Sequence, residues 1–177
     1  RVAVADERSS RIAPGEHLIE RRIPAKEALE QLLDPKRIPN LIIVRDGARV
    51  AEVVESLIDF GLSEGEIAKA MNSAALPERF KTRSLEGFLY PAQYSFSKDV
   101  DAKRVIAAML EKFKWAAKNI EWSNSPTLSP SEILTVASLV ETEGTPDIFG
   151  KVSRVIYNRL EKRMPLQFDS TVHYALN

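Results

Sequence analysis

The stretch Ser129-Pro130-Ser131-Glu132-Ile133-Leu134-Thr135-Val136-Ala137-Ser138-Leu139-Val140-Glu141-Thr142-Glu143-Gly144 decides how the second half of the chain folds. Ser129 with Glu132 three residues on is a capping-box signature. Pro130 stands at the first helical position, where its missing N–H costs nothing. Ile133, Val136, Ala137 and Val140 then recur at helical spacing and mark the stripe expected to be buried. At ~100° per residue, Glu143 falls within about 20° of Val136 and about 60° of Val140, whereas Glu141 points about 140° away from Val136. One acid therefore continues the apolar stripe and the other faces solvent. An apolar wall and the negative end of a helix both disfavour the charged form of a carboxyl, which is the setting a general acid needs. The alternative is an ordinary last-turn Glu whose helix frays into water, and spacing alone does not choose between the two. Gly144 stops the helix and is expected to leave open backbone beside Glu143.

Downstream, a helix is predicted over 147–163, with Val152, Val155, Ile156 and Leu160 on one side. Arg159 shares that side, about 20° from Val152. A guanidinium there needs a partner, for which Glu86 and Asp169 are the candidates, and it reads as a structural clamp rather than a catalytic group. Asn158 points off the stripe, toward a cleft or plain water. The segment from Met164 to Tyr174 mixes polar and aromatic residues without a clear period. Upstream, Ser123 to Pro130 is a polar loop. A long helix is expected from about Asp99 to Asn119, with Val105, Ile106, Met109, Leu110 and Phe113 on one face. Glu86 to Phe96 is dense in aromatics and cannot be regular helix across Pro91. Phe88, Tyr90, Tyr94 and Phe96 suit either a sugar-stacking platform or plain core.

The first half reads as strand-helix-strand-helix-helix, a small α+β unit. Short alternations (Val2, Val4; Leu18, Ile19) broken by Pro14-Gly15 suggest strands and turns. Ala25 to Leu33 is a short helix ended by Asp34-Pro35. Asn40 to Val44 is a β-branched run suited to a buried strand, and Asp46-Gly47 turns the chain. Val50, Val53, Val54, Leu57 and Ile58 form an amphipathic helix closed by Gly61. Ser63 and Glu66 cap the next one.

Composition narrows the function. The 177 residues are 44% hydrophobic, enough for one ordinary core or two small units. Twenty-five Lys+Arg balance twenty-five Asp+Glu, so no net field draws in nucleic acid or anionic lipid. Without cysteine there is no disulfide scaffold, thiolate zinc site or Cys nucleophile. His17 and His173 lie far apart and outside any HExxH context, so no metal is expected. No GxSxG elbow, P-loop or GxGxxG is present among seven glycines. The chain runs from Arg1 to Asn177 with neither end shaped like a natural terminus, which reads as a piece of a longer protein.

Four segments occur in a telling order: Leu85-Glu86-Gly87-Phe88-Leu89-Tyr90-Pro91, Ala137-Ser138-Leu139-Val140-Glu141-Thr142-Glu143, Val155-Ile156-Tyr157-Asn158-Arg159-Leu160, and Met164-Pro165-Leu166-Gln167-Phe168-Asp169-Ser170-Thr171-Val172. Together they resemble the bacterial YceG-like family, the endolytic murein transglycosylases. The resemblance implies an α+β chain with a LysM-like region over 1–80 and a mainly helical catalytic region over 81–177, incomplete at its C-terminus. It implies a peptidoglycan lyase that cuts nascent glycan strands internally, with 1,6-anhydro ends and no cofactor. It implies a location on the outer face of the cytoplasmic membrane, through an N-terminal helix absent from this chain, near penicillin-binding proteins.

The second acid of the family's Glu-x-Glu motif falls on Glu143, implied to be catalytic. Glu86, Tyr90, Tyr94, Asn158, Gln167, Asp169 and Tyr174 are implied substrate contacts, with Arg159 the clamp. Gly144 stands where the family often has Thr, Ala92-Gln93 where it has Asp-Thr, and Phe168 and Ser170 where it has Thr and Pro. A non-enzymatic peptidoglycan-binding or scaffold module is the alternative. Aminodeoxychorismate lyase chemistry would need pyridoxal phosphate on a lysine and a phosphate cradle, and the sequence offers neither.

Overall fold

The computed structural model describes residues 8, 12, 17–37, 39–82, 84–122 and 127–176. Among them are seven α-helices and one two-stranded sheet, an α+β architecture. Two compact units share the chain. One runs up to Ala75 and takes in Phe88–Phe113; the other holds Leu76–Gly87 and everything from Lys114 onward. The division is not a single cut in the sequence, because Phe88–Phe113 return to the first unit.

The first unit begins, among described residues, with α1 (Ala25–Leu33). Strand β1 (Leu41–Val44) pairs antiparallel with β2 (Ala92–Ser95), with Ile42 opposite Tyr94 and Ile43 opposite Gln93. Alternation puts Ile42, Val44 and Tyr94 inside and leaves Ile43 half exposed. Between the strands come α2 (Val50–Phe60), packed on β1, and α3 (Glu64–Asn72), packed on α2. Gly61 ends α2 at φ 112°, and the Leu62 N–H reaches the Leu57 carbonyl at 3.1 Å, closing a Schellman turn. Ser63 and Glu66 exchange the hydrogen bonds of a capping box. Helix α4 (Ala102–Ala116) buries Val105, Ile106, Met109, Leu110 and Phe113, and Phe88 meets Phe113 edge-on at 5.0 Å.

One expectation for this half changes. Leu18 and Ile19 form no strand and are 61% and 43% exposed, while Val2, Val4 and Pro14-Gly15 lie outside the described residues. The partner of β1 is β2. Ala92-Gln93-Tyr94-Ser95 has no β-branched residue, so only its pairing with a strand about fifty positions earlier makes it extended.

The second unit contains α5 (Pro130–Glu143), α6 (Phe149–Glu161) and α7 (Asp169–Leu176), with α5 packed against both others. Val136 on α5 and Ile156 on α6 are buried, as is Leu85 of the same unit. Phe80 and Trp122 meet edge-on at 5.0 Å, and the Trp122 indole N–H donates to the Ala117 carbonyl. The helix α7 is not legible in the sequence: none of its residues is buried, so it shows no apolar stripe.

Candidate active site

The site is built on the C-terminal end of α5. Ser129 and Glu132 cap its start: the Glu132 N–H donates to Ser129 Oγ, and the Glu132 carboxylate accepts from the Ser129 N–H and hydroxyl. These bonds hold the Glu132 carboxyl below the usual carboxylate range. The cap fixes where the helix starts and hence which side chains share a face. Ile133, Val136, Val140 and Glu143 form the covered line, with Val136 buried and the other three half-buried. Glu141 is exposed. Ala137, expected on the stripe, is exposed as well, because it lies about 100° from Val136, outside the narrow face that α6 and α7 cover. Among the described residues, the Glu143 carboxylate makes no hydrogen bond and no ion pair.

Gly144 is not the open backbone expected. A Cβ there would lie 3.1 Å from Val152 Cγ2, 3.2 Å from the Val140 carbonyl oxygen and 3.3 Å from Phe149 Cδ1. Its φ of −140° suits any residue, so the close approach of α6 is what selects glycine. The missing side chain lets the α5–α6 corner close directly behind Glu143. Phe149 is a residue that the sequence does not single out, and the glycine is its only signal.

Arg159 has no carboxylate partner among the described residues. Its Nη1 donates to the Leu166 carbonyl, and its guanidinium carbon lies 5.8 Å from the Phe168 ring centroid. A half-buried guanidinium satisfied by a carbonyl and a ring face needs neither Glu86 nor Asp169. Between the two gripped residues stands Gln167, exposed and at φ 54°. Thr171, another residue not singled out by the sequence, fastens the far side: its hydroxyl and N–H both donate to the Phe168 carbonyl, at 2.6 and 3.1 Å.

The remaining positions divide. Asp169 opens α7 and Tyr174 lies near its end, both exposed. Asn158 is exposed on α6. Glu86 is half-buried in the second unit, where its neighbour Gly87, at φ 81°, would put a Cβ 3.2 Å from Leu134 Cδ2. Leu134 precedes Glu143 by nine residues, ~13 Å along the helix and on the opposite side by ~180°, so this loop contact stands apart from Glu143.

Tyr90 and Tyr94 belong to the first unit. Tyr94 is 5% exposed, donates its hydroxyl to the Tyr90 carbonyl at 2.6 Å, and is covered by Phe96 and by Lys112 Nζ at 5.5 Å. It is a core residue with no free face for a sugar, and burial, with a smaller effect of Tyr90, pushes its phenol well above the ordinary range. Phe88 is likewise core. Among the described residues, no group of three or more His, Asp and Glu side chains is placed to hold a metal ion. No described helix is long and apolar enough to cross a membrane.

A model of the YceG-like family matches residues 1–177. The endolytic murein transglycosylase of Bacillus subtilis (strain 168) is 39% identical over 94 residues, which are 51% of this chain and 26% of that protein. The endolytic murein transglycosylase of Streptococcus pneumoniae serotype 2 (strain D39) is 39% identical over 93 residues, 51% of this chain and 17% of that protein. These matches span about a quarter or less of the relatives' own length. A crystal structure of a yceG-like protein from Listeria monocytogenes superposes with a TM-score of 0.66 at 24% identity, covering 94% of this chain and 62% of that one, and so shares its fold.

Proposed function

The chain belongs to the YceG-like family, and from that premise we propose that it carries the catalytic acid of a murein transglycosylase that cuts peptidoglycan strands internally. The observation that carries this reading is the state of Glu143. It continues the covered line of α5, spends its carboxylate on no described neighbour, and sits at a corner closed by Gly144.

The reaction needs one carboxyl. Protonated Glu143 donates to the glycosidic oxygen between N-acetylmuramic acid and N-acetylglucosamine as the bond to the anomeric carbon breaks. Positive charge at that carbon is steadied by the substrate's own acetamido group. Glu143, now a carboxylate, takes the proton of the muramic C6 hydroxyl, whose oxygen bonds to the anomeric carbon. The product ends in a 1,6-anhydro ring, the acid is regenerated and no water is consumed. A hydrolase would need a second carboxyl about 5–10 Å from the first across the bond. Glu141 is exposed on another face of α5, which favours the single-acid course. General acid-base help contributes roughly 10²–10⁴-fold, so oriented binding of the strand supplies much of the remainder.

Mass spectrometry of digested glycan strands tests this. Anhydro-ended fragments are expected from the chain and none from Glu143→Gln. Fragments with ordinary reducing ends, or equal yield from the variant, contradict it.

A second reading draws on the first unit. Its order β1-α2-α3-β2, with the strands paired antiparallel, supports a LysM-like glycan-binding module, and a scaffold without catalysis would use that unit alone. Strand binding without any anhydro product would favour it. Either way the substrate places the work outside the cytoplasmic membrane, and a cutter of nascent strands would act beside the penicillin-binding proteins that make them.

A further inference from the structure

The solvent face of α6 carries a row of cations. Counted around the helix, Arg154, Val155, Asn158 and Lys162 all fall within about 60° of Lys151, whereas the buried Ile156 points about 140° away. The residues of the row are exposed, Val155 at 42%, and Arg163 follows directly after the Lys162 cap. From Lys151 to Lys162 the row runs about 16 Å. Among the described residues, the side chains of Lys151, Arg154, Lys162 and Arg163 make no ion pair and no hydrogen bond. Two acids stand near. Glu161 is exposed at the edge of the row, and Asp147, ahead of the helix, accepts from the Thr145 hydroxyl at 2.6 Å. The zero net charge of the chain therefore hides a local positive excess.

Helix stability does not account for this row. Lys162 and Arg163 suit the negative C-terminal end of α6, but Lys151 stands in the first turn, at the positive end, where no acid is present. Arg154 follows at i,i+3, so two like charges are neighbours, and within the helix no acid lies three or four positions from either. An anion outside the protein relieves both contacts. Because the charges are strung along the outside of a helix, a single small anion meets one or two of them, whereas an extended array of phosphates meets them all. Val155 stands in their midst. A dissolved polyanion leaves that side chain in water, and the ester level of a bilayer covers it. We propose that this face of α6 rests on an anionic phospholipid surface, with Lys151, Arg154, Lys162 and Arg163 against headgroup phosphates and Val155 just below them. No described helix is long and apolar enough to cross a membrane, so this contact is peripheral. It uses neither Glu143 nor the glycan strand and is independent of the transglycosylase reading.

Each Lys or Arg near such a surface strengthens adsorption about five-fold. Co-sedimentation of the chain with vesicles measures it. Binding is expected to vesicles of three parts phosphatidylcholine to one part phosphatidylglycerol and not to phosphatidylcholine alone. It is expected to vanish in salt of about 1 M, where the screening length is about 3 Å. Lys151→Gln, Arg154→Gln and Lys162→Gln together are expected to weaken it about 100-fold. Lys26→Gln, Lys36→Gln and Lys69→Gln together remove the same charge from exposed positions of the first unit, and are expected to change it by no more than about two-fold. Lys151→Arg, Arg154→Lys and Lys162→Arg together keep every charge and are expected to bind within about two-fold of the unmodified chain, because a lipid surface reads charge rather than the guanidinium fork. Equal binding to neutral vesicles, binding that survives high salt, equal losses from the two glutamine triples, a large loss from the charge-keeping triple, or tighter binding to soluble polyphosphate than to anionic vesicles would each overturn the proposal. So would a loss of glycan-strand binding by the α6 glutamine triple equal to its loss on vesicles, which would give the row to the strand.

Discussion

Gly144 and Val152 meet so closely that a Cβ on the glycine would lie 3.1 Å from the valine Cγ2. Two further atoms, the Val140 carbonyl oxygen and Phe149 Cδ1, stand within 3.3 Å of the same point. The corner behind Glu143 is therefore set by volume, not by backbone conformation. Gly144→Ala is expected to lower stability by about 1–3 kcal/mol through overpacking. Adding Val152→Ala should return part of that loss, because the two sites share the crowded space. Urea denaturation of the two singles and the double checks it; strict additivity would show that the crowding is not what the glycine relieves.

Two helices end with a left-handed residue, one well chosen and one not. Gly61 closes α2 at φ 112°, and Arg163 comes after α6 at φ 54° in the same hydrogen-bond pattern, with Met164 N–H on the Arg159 carbonyl at 2.8 Å. The left-handed conformation costs a non-glycine residue roughly 1–2 kcal/mol. Gly61→Ala is expected to destabilise by about 1 kcal/mol with no steric contribution, since nothing lies within 4 Å of the new Cβ. Arg163→Gly is expected to do the opposite, by up to ~1 kcal/mol after the extra freedom of the unfolded chain is subtracted. Thermal melts of both variants should move in opposite directions.

Tyr94 gives the first unit an alkaline limit. Burial holds its phenol protonated in the folded state, above the ordinary value of 10.0. Below that value both states keep the proton and stability is unaffected. As pH rises past it, the unfolded chain releases the proton and the folded one does not, so stability falls by ~1.4 kcal/mol per pH unit for this one group. Denaturation at pH ~9 to ~12, spanning the ordinary phenol range, should show this slope, and Tyr94→Phe should flatten it even though that variant loses the hydrogen bond to Tyr90.

The cap of α5 gives an acid limit. Ser129 holds the Glu132 carboxyl below its ordinary range, so the stabilisation is present above the unfolded value and is lost as pH falls through the lowered one. Glu132→Gln should make unfolding of the second unit less sensitive to pH in the carboxylate range. Ser129→Ala should weaken α5 at neutral pH by about 1 kcal/mol, the usual cost of an N-cap.

The sequence discloses what local chemistry dictates. Ser63-Glu66 and Ser129-Glu132 announce two helix starts, Gly61 a helix end, and Leu41–Val44 a strand, because each signal lies within a few residues of its effect. It hides what depends on distant partners. Ala92–Ser95 is a strand only because Leu41–Val44 lies beside it, and Asp169–Leu176 is a helix that buries none of its residues. The same division runs through the site. The face of Glu143 comes from counting around α5, whereas the partners of Arg159 are a carbonyl and a ring, neither of which a search for opposite charges would find. Tyr94 suits a sugar as well as a core by sequence, and the Tyr90 carbonyl and the sheet decide for the core.

The most direct measurement compares the two acids of one motif. Turnover of glycan strands is followed for Glu143→Gln and Glu141→Gln under the same conditions. The expected result is a loss of roughly 10²–10⁴-fold for Glu143→Gln and a change of no more than about two-fold for Glu141→Gln, whose side chain faces solvent on another side of α5. Undiminished cutting by Glu143→Gln, or an equal loss from both variants, would contradict it.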